Sequence, residues 1–156
     1  MKAEEFVNVI EGKFSPHVKG AAANYKRAYI KVEKIYLRKV VEFMVKNIEG
    51  TRFSIATGID TRNGIEVIYH FSFNGLPLVA NLKVVAGKPF PEIETLGDIF
   101  PGTLWIEREI HDLLGVKFIN HPNLKRLVKA EMIPEDVYPL RRDFNVDEFK
   151  RRYLDK

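Results

Sequence analysis

From Ile65 to Phe73 the side chains alternate. Ile65, Val67, Tyr69, Phe71 and Phe73 fall on one face, and Glu66, His70 and Ser72 fall on the other. A period-two run of this length argues a strand with one face buried. Asn74-Gly75 follows, and Leu78–Val85 alternates again, with Leu78, Ala80, Leu82 and Val84 set against Asn81 and Lys83. Asn-Gly between two alternating runs is a strong local hairpin signal, because both residues tolerate the positive φ of a tight turn. An antiparallel sheet is therefore the frame around which the rest must be arranged.

The flanking segments fit that frame. Arg27–Glu33 places Ala28, Ile30 and Val32 on one face of a strand, and Arg52–Thr57 places Phe53 and Ile55 together. Between them Tyr36, Leu37, Val40, Val41, Met44, Val45 and Ile48 recur at helical spacing, with Arg38, Lys39, Glu42 and Lys46 opposite and Gly50 beyond the end. This is the pattern of an amphipathic helix laid on a core. Residues 3–11 predict a short helix bearing Phe6, Val7 and Ile10. The stretch from Phe14 to Ala23, with Pro16, Gly20 and three alanines, is expected to be a connecting loop. Lys88-Pro89-Phe90-Pro91 interrupts the sheet, and a second helix is expected from Thr103 to Leu114 with Gly115 as its C-cap. Beyond it His121-Pro122, Ile133-Pro134 and Tyr138-Pro139 each bias the chain towards extended or turning backbone. A last short helix, Asp147 to Leu154, pairs Phe149 with Tyr153 at i,i+4. The reading is one α+β domain over residues 1–156, a mainly antiparallel sheet packed with helices. Residues 1–25 form an N-terminal helix and loop, 26–115 the core, and 116–156 a helix-ended extended segment.

Composition removes several classes of function. With no cysteine among 156 residues, the chain has no disulfide, no thiolate nucleophile and no cysteine-held iron–sulfur cluster. No apolar run approaches the roughly 20 residues of a membrane-spanning helix. The start, MKAEEFVNVI, lacks the basic opening of a signal peptide, so a cytoplasmic location is expected. Glutamine is absent while lysine and glutamate abound, a balance that points to a thermophile. The formal charge is +4 and the pI about 9.2, with basic pairs such as Lys125-Arg126 and Arg141-Arg142, most of them read as solvated faces. A basic surface can serve RNA, an anionic membrane or an acidic partner.

The densest chemistry lies on the second helix. Ile106, Ile110, Leu113 and Leu114 form its apolar arc, Glu107 and Glu109 lie on opposite borders, and Arg108 and Asp112 stand across from it near Trp105. Arg108 and Asp112, at i,i+4, can pair. Border carboxylates that are partly desolvated need donors, and Arg141 or Arg142 is expected to supply them, pinning the C-terminal segment to the helix. No nucleophile or glycine-rich loop accompanies the acids, so a catalytic acid–base pair is not supported. Glu107, His111 and His121 have no metal-site spacing, and no metal is expected. RNA binding is the alternative reading, set back because the aromatic stripe belongs to the core and no RNP-type signature appears.

This same helix carries a resemblance. Glu107-Arg108-Glu109, two residues, Asp112-Leu113-Leu114, six residues, His121, three residues, Lys125, one residue, then Leu127-Val128 resembles at every defined position a family signature, that of the C subunit of complex I, the 30-kDa-type NADH:quinone oxidoreductase subunit. Pro139-Leu140-Arg141-Arg142-Asp143-Phe144 resembles that family's Pro-Leu-Arg-Lys-Asp element, and residues 68–71 and 95–101 also look like it. The form Ile133-Pro134-Glu135-Asp136-Val137-Tyr138-Pro139 looks more like the branch in energy-converting membrane-bound [NiFe] hydrogenases and formate hydrogenlyases. The resemblance implies a non-redox subunit, peripheral on the cytoplasmic side of the membrane, that binds no cofactor itself. It implies partners in a large catalytic subunit and an iron–sulfur small subunit, in a complex carrying iron–sulfur clusters and in some members a [NiFe] centre. Trp105, Glu107, Arg108, Glu109, Asp112, His121, Lys125, Arg141, Arg142 and Asp143 are then expected to be structural or docking residues. Trp105, Arg108 and Asp112 are the candidates for partner contact, or else pack against the chain's own C-terminal tail.

Overall fold

The structure is a computed structural model, and it describes residues 1–154. Helix α1 (Ala3–Phe14) leads into strands β1 (Val18–Asn24) and β2 (Arg27–Val32). After a short 3-10 turn come helix α2 (Leu37–Asn47) and strands β3 (Thr51–Thr61), β4 (Gly64–Phe73) and β5 (Leu76–Ala86). The five strands form one sheet in the order β1-β2-β5-β4-β3. Strand β6 (Glu92–Glu94), helix α3 (Thr103–Leu114), strand β7 (Lys117–Ile119) and helix α4 (Val146–Tyr153) complete the chain.

The alternation read from the sequence is what the sheet uses. Ile65, Val67, Tyr69, Phe71 and Phe73 of β4 and Leu78, Ala80, Leu82, Val84 and Ala86 of β5 are all buried on one face. That face carries the helices. Phe6 of α1 meets Phe73 at 5.6 Å between ring centroids, and Phe14 meets Phe43 of α2 edge-on at 5.5 Å. Phe100 closes the other end of the same layer against Phe53 and Phe71. The opposite face, which bears Tyr29, Lys31, Ile55, Ile68, His70 and Lys83, is covered by no helix among the described residues.

Several expectations are corrected. The segment expected as a loop from Phe14 to Ala23 contains strand β1, which pairs antiparallel with β2 from Val18↔Val32 to Asn24↔Arg27. Its glycine and alanines have no alternation to reveal a strand; pairing across a tight turn at Tyr25 creates it. The sheet is mainly antiparallel, as expected, with one parallel pairing, β2 with β5, at its centre. The irregular stretches on either side of α3 also hold a small parallel pair, β6 with β7. Strand β3 runs four residues beyond the expected Thr57, so that Asp60 lies at its far end.

Helix α3 has the predicted limits, and Gly115 caps it at φ +73° in the left-handed region that suits glycine. The helix crosses β3 at Gly58, where an added Cβ would stand 2.5 Å from Leu114 Cδ1. This close approach sets the depth of α3 on the sheet, and hence which of its side chains are swallowed and which remain outside.

Candidate functional site

Because α3 lies so deep, Glu107 is wholly buried. Its Oε1 accepts from Leu96 N–H at 3.0 Å and from the Tyr69 hydroxyl at 3.3 Å, and its Oε2 accepts from the Thr95 hydroxyl. Thr95 Oγ1 in turn accepts from Gly97 N–H, which fixes its proton towards the carboxylate. Burial pushes the Glu107 carboxyl up, the donors recover part of that shift, and the balance stays above the usual carboxylate range. Tyr69 is pushed well up, first by burial and then by the Glu107 charge. The expected pairing of Glu107 with Arg141 or Arg142 is therefore corrected: its partners are two hydroxyls and a backbone amide. Glu109 is exposed on the far border and has no ion-pair partner among the described residues.

Asp112 is the second surprise. It does not pair with Arg108. Its Oδ2 accepts from three successive backbone N–H groups, Leu127 at 3.1 Å and Val128 and Lys129 at 2.8 Å each. The Lys129 ammonium lies 3.5 Å from Oδ1, with both side chains buried. Burial pushes this carboxyl up, but the three amides and the ammonium outweigh it and hold it below the usual range. Lys129 directs its remaining donors to the carbonyls of Pro134, Glu135 and Val137.

Arg108 also turns to the chain's own tail. Its Nε and Nη2 donate to the carbonyls of Lys125 and Arg126, at 3.0 and 2.8 Å. His121 accepts from Asn123 N–H at Nδ1, so its proton is on Nε2, which donates to Leu104 O. Arg141 donates to Leu114 O at 2.8 Å and stacks on Tyr138 at 4.2 Å, both against the bare Cα of Gly115. Arg142 contributes its backbone N–H to Asp60 Oδ2, while Lys88 holds Oδ1 at 2.6 Å. Burial pushes Asp60 up, and Lys88 and the Arg142 amide bring it below the usual range. Lys125 serves through its carbonyl, and Asp143 is exposed.

The cluster thus resolves into an anchor for the C-terminal segment. Of the three residues named for partner contact, Arg108 and Asp112 bind the C-terminal segment, and Trp105 alone remains mostly exposed, at 63%. Arg108 lies 5.1 Å over its ring and ties it to the anchored loop. Lys129 and Asp60 were not singled out by sequence reasoning. Lys129 follows the Leu127-Val128 pair directly, but nothing in its surroundings distinguishes it from the other lysines. The residues weighed for a metal point apart: His111 Nδ1 is 2.9 Å from Val116 O, and Glu107 is enclosed by Tyr69 and Thr95.

Fold and site together define a two-layer α+β domain whose irregular C-terminal stretch is strapped down by buried polar residues. Its relatives give the family. Residues 30–150 match the family of the respiratory-chain NADH dehydrogenase 30 Kd subunit, and the chain belongs to that family. It is 30% identical over 152 residues to the C subunit of F(420)H(2) dehydrogenase from Methanosarcina mazei, covering 92% of each chain. It is 29% identical over 145 residues to the C subunit of NADH-quinone oxidoreductase from Chloroherpeton thalassium, and spans 60% of that longer protein. Among solved structures it matches a chain of the membrane-bound sulfane sulfur reductase, an archaeal respiratory membrane complex. There the TM-score is 0.80 and the identity 25%, over 98% of this chain and 93% of the other. The Nqo5 trypsin-resistant fragment shares the fold at a TM-score of 0.61 and 16% identity, over 78% of this chain and 98% of the fragment. The RNA-binding alternative has no support in these relatives, and the aromatic stripe it would need is buried.

Proposed function

We propose that the chain is a non-redox peripheral-arm subunit that docks the large catalytic subunit of a membrane-associated oxidoreductase through its C-terminal segment. The observation that carries this is a mismatch between anchoring and burial. Residues 124–144 are held by the buried Asp112, Lys129 and Asp60, yet they present large apolar side chains to solvent. Val128, Met132 and Leu140 are each more than half exposed, as are Val146 and Leu154 beyond them and Trp105 beside them. A chain that commits buried ionic groups to holding an apolar surface outward has that surface shaped for contact. Exposed apolar groups along an anchored segment, together with a tryptophan braced by an arginine on α3, have the composition of an interface.

The mechanism is one of geometry. The sheet and helices α1 and α2 form the rigid body, α3 transmits its position, and the Asp112–Lys129 anchor fixes the docking segment before the partner arrives. Pre-ordering removes the entropy that a disordered tail would lose on binding. The chain has no thiolate for a cluster, so electrons pass through its partners, which hold the iron–sulfur clusters and, in the hydrogenase branch, a [NiFe] centre. No described helix is long and apolar enough to cross a membrane, and attachment on the cytoplasmic side comes through the complex. The relatives at hand include F(420)H(2) and NADH dehydrogenase subunits and a sulfane sulfur reductase, so the parent activity is to be assayed across all four donors and acceptors, hydrogen included.

Affinity purification of the tagged chain from its native membranes tests the proposal. Recovery of a large catalytic subunit with an iron–sulfur subunit, and of one of these activities, is expected. Recovery of the chain alone under mild detergent would overturn it.

A further inference from the structure

The docking segment leaves the bare sheet face unused. On that face the register sets Lys31 of β2 directly beside Lys83 of β5. Like charges at paired positions repel. Glu66 reaches Lys83 at 3.4 Å, but no carboxylate of the described residues lies within ion-pair distance of Lys31 or of Arg27 on the same strand. Lys31 and Arg27 therefore leave uncompensated positive charge on this face. Next to it lies a mainly apolar hollow of about 300 Å³, lined by Gly20, Ala22, Tyr29, Ile68 and the stems of the two lysines. Its outer wall is β1, the edge of the sheet, whose far side has no strand partner.

Ala21 and Ala23 face the core, where α1 requires small side chains on β1. Gly20 and Ala22 point the other way, to the open face, and no helix there demands that they be small. Together the edge, the hollow and the unpaired Lys31 beside Lys83 define a binding surface with stated chemistry: main-chain groups along the edge strand β1, room for one bulky apolar side chain, and a seat for a carboxylate. A second copy of this chain does not suit it, because a two-fold contact would set Lys31 and Lys83 against the same lysines. A single tyrosine does not make a base-stacking platform.

We propose that this face binds an extended, acidic segment of a neighbouring subunit, laid along β1 with an apolar side chain in the hollow and a carboxylate between Lys31 and Lys83. The proposal rests on the assembly role argued above, but concerns a surface separate from the C-terminal segment. It gives the subunit two opposed contacts, so that it bridges two partners rather than decorating one.

The test uses the intact complex. A photo-reactive phenylalanine derivative is placed at exposed Ala22, and in a parallel strain at Leu140, and cross-linked products are mapped by mass spectrometry. The expected result is that Ala22 joins an aspartate- or glutamate-bearing segment of another subunit, distinct from the one joined by Leu140. Lys31→Glu with Lys83→Glu should lower the yield of that product at least tenfold while the Leu140 product persists. Cross-linking at Leu140 but none at Ala22 would overturn this inference and leave the assembly role standing. Products at Ala22 with RNA, with a second copy or with a basic segment would also overturn it. Failure of both probes to reach any subunit would remove the assembly role and this inference with it.

Discussion

Asp112 and Lys129 meet twice: the backbone N–H of Lys129 donates to Asp112 Oδ2 at 2.8 Å, and its ammonium stands 3.5 Å from Oδ1. One residue is in a helix and the other in irregular backbone 17 positions on. The pair is buried, and the lysine's other donors close the turns at Pro134, Glu135 and Val137. The C-terminal segment thus depends on one carboxylate for its entry and on one ammonium for its interior shape.

Asp112→Ala should release the segment without unfolding the body. Removing one member leaves a buried ammonium without its counter-charge and three amides without an acceptor, a loss of roughly 3–5 kcal/mol. Hydrogen exchange should show residues 124–140 losing protection while β4 and β5 keep theirs. Equal loss in both regions would mean that the anchor belongs to the global fold.

The same anchor sets an acid limit. Asp112 and Asp60 both have folded values below those of the unfolded chain, so the unfolded state binds more protons in the window between. Their stabilisation is full above the ordinary aspartate value of about 3.9 and is lost as pH falls through the depressed folded values. Glu107 works in the opposite sense: its folded value is raised, so its contribution is present below the ordinary glutamate value and fades as pH rises through the folded one. Protection of residues 124–144 should hold steady from neutral pH down to about 5 and fall away below about 4. Asp112→Asn should flatten that acid limb at a lower baseline. An unchanged limb in the variant would sink the assignment.

How much of this was legible in the sequence follows from the range of each interaction. The β4–β5 hairpin and the limits of α3, with Gly115, are set by period and by a cap, both local, and the structure has them where the pattern does. Strand β1 was hidden because Gly20-Ala21-Ala22-Ala23 carries no alternation, and only pairing with β2 makes it a strand. The site was half legible. Trp105 outside and the residues of the signature together were readable, but the partners of Asp112 are backbone amides, which every residue but proline has and no pattern marks. Helical spacing puts Glu107 on a border, whereas Gly58 lets α3 sink until that border meets Tyr69, 38 residues away in the chain.

That depth separates two carboxylates that look alike in sequence. Glu107→Lys would bury an ammonium against Leu96 N–H and two neutral hydroxyls, leaving a charge without a counter-charge. The cost exceeds roughly 3 kcal/mol, and the chain should fail to fold or melt far lower. Glu109→Lys, on the exposed border, should stay within about 0.5 kcal/mol of the parent. Thermal unfolding of the two purified variants decides it, and similar melting would contradict the burial of Glu107.

Trp105 offers the cleanest separation of docking from folding. Its side chain is 63% exposed, and Arg108, which lies over its ring, is held independently by the carbonyls of Lys125 and Arg126. Trp105→Ala should therefore leave the melting temperature of the isolated chain nearly unchanged, within about 0.5 kcal/mol. An exposed tryptophan braced by an arginine is the kind of residue whose truncation costs an interface about 2 kcal/mol or more. Affinity for the large subunit should then fall roughly 30-fold, at about 1.4 kcal/mol per factor of ten. Leu140→Asp, on the same segment, should act in the same direction by placing a charge where an apolar contact is required. Binding of the recombinant chain to the large subunit, measured alongside its thermal stability, checks both. If Trp105→Ala bound normally while Leu140→Asp did not, the interface would be centred on the distal segment and Trp105 would lie outside it. If both bound normally, the large subunit would contact some other surface of the chain.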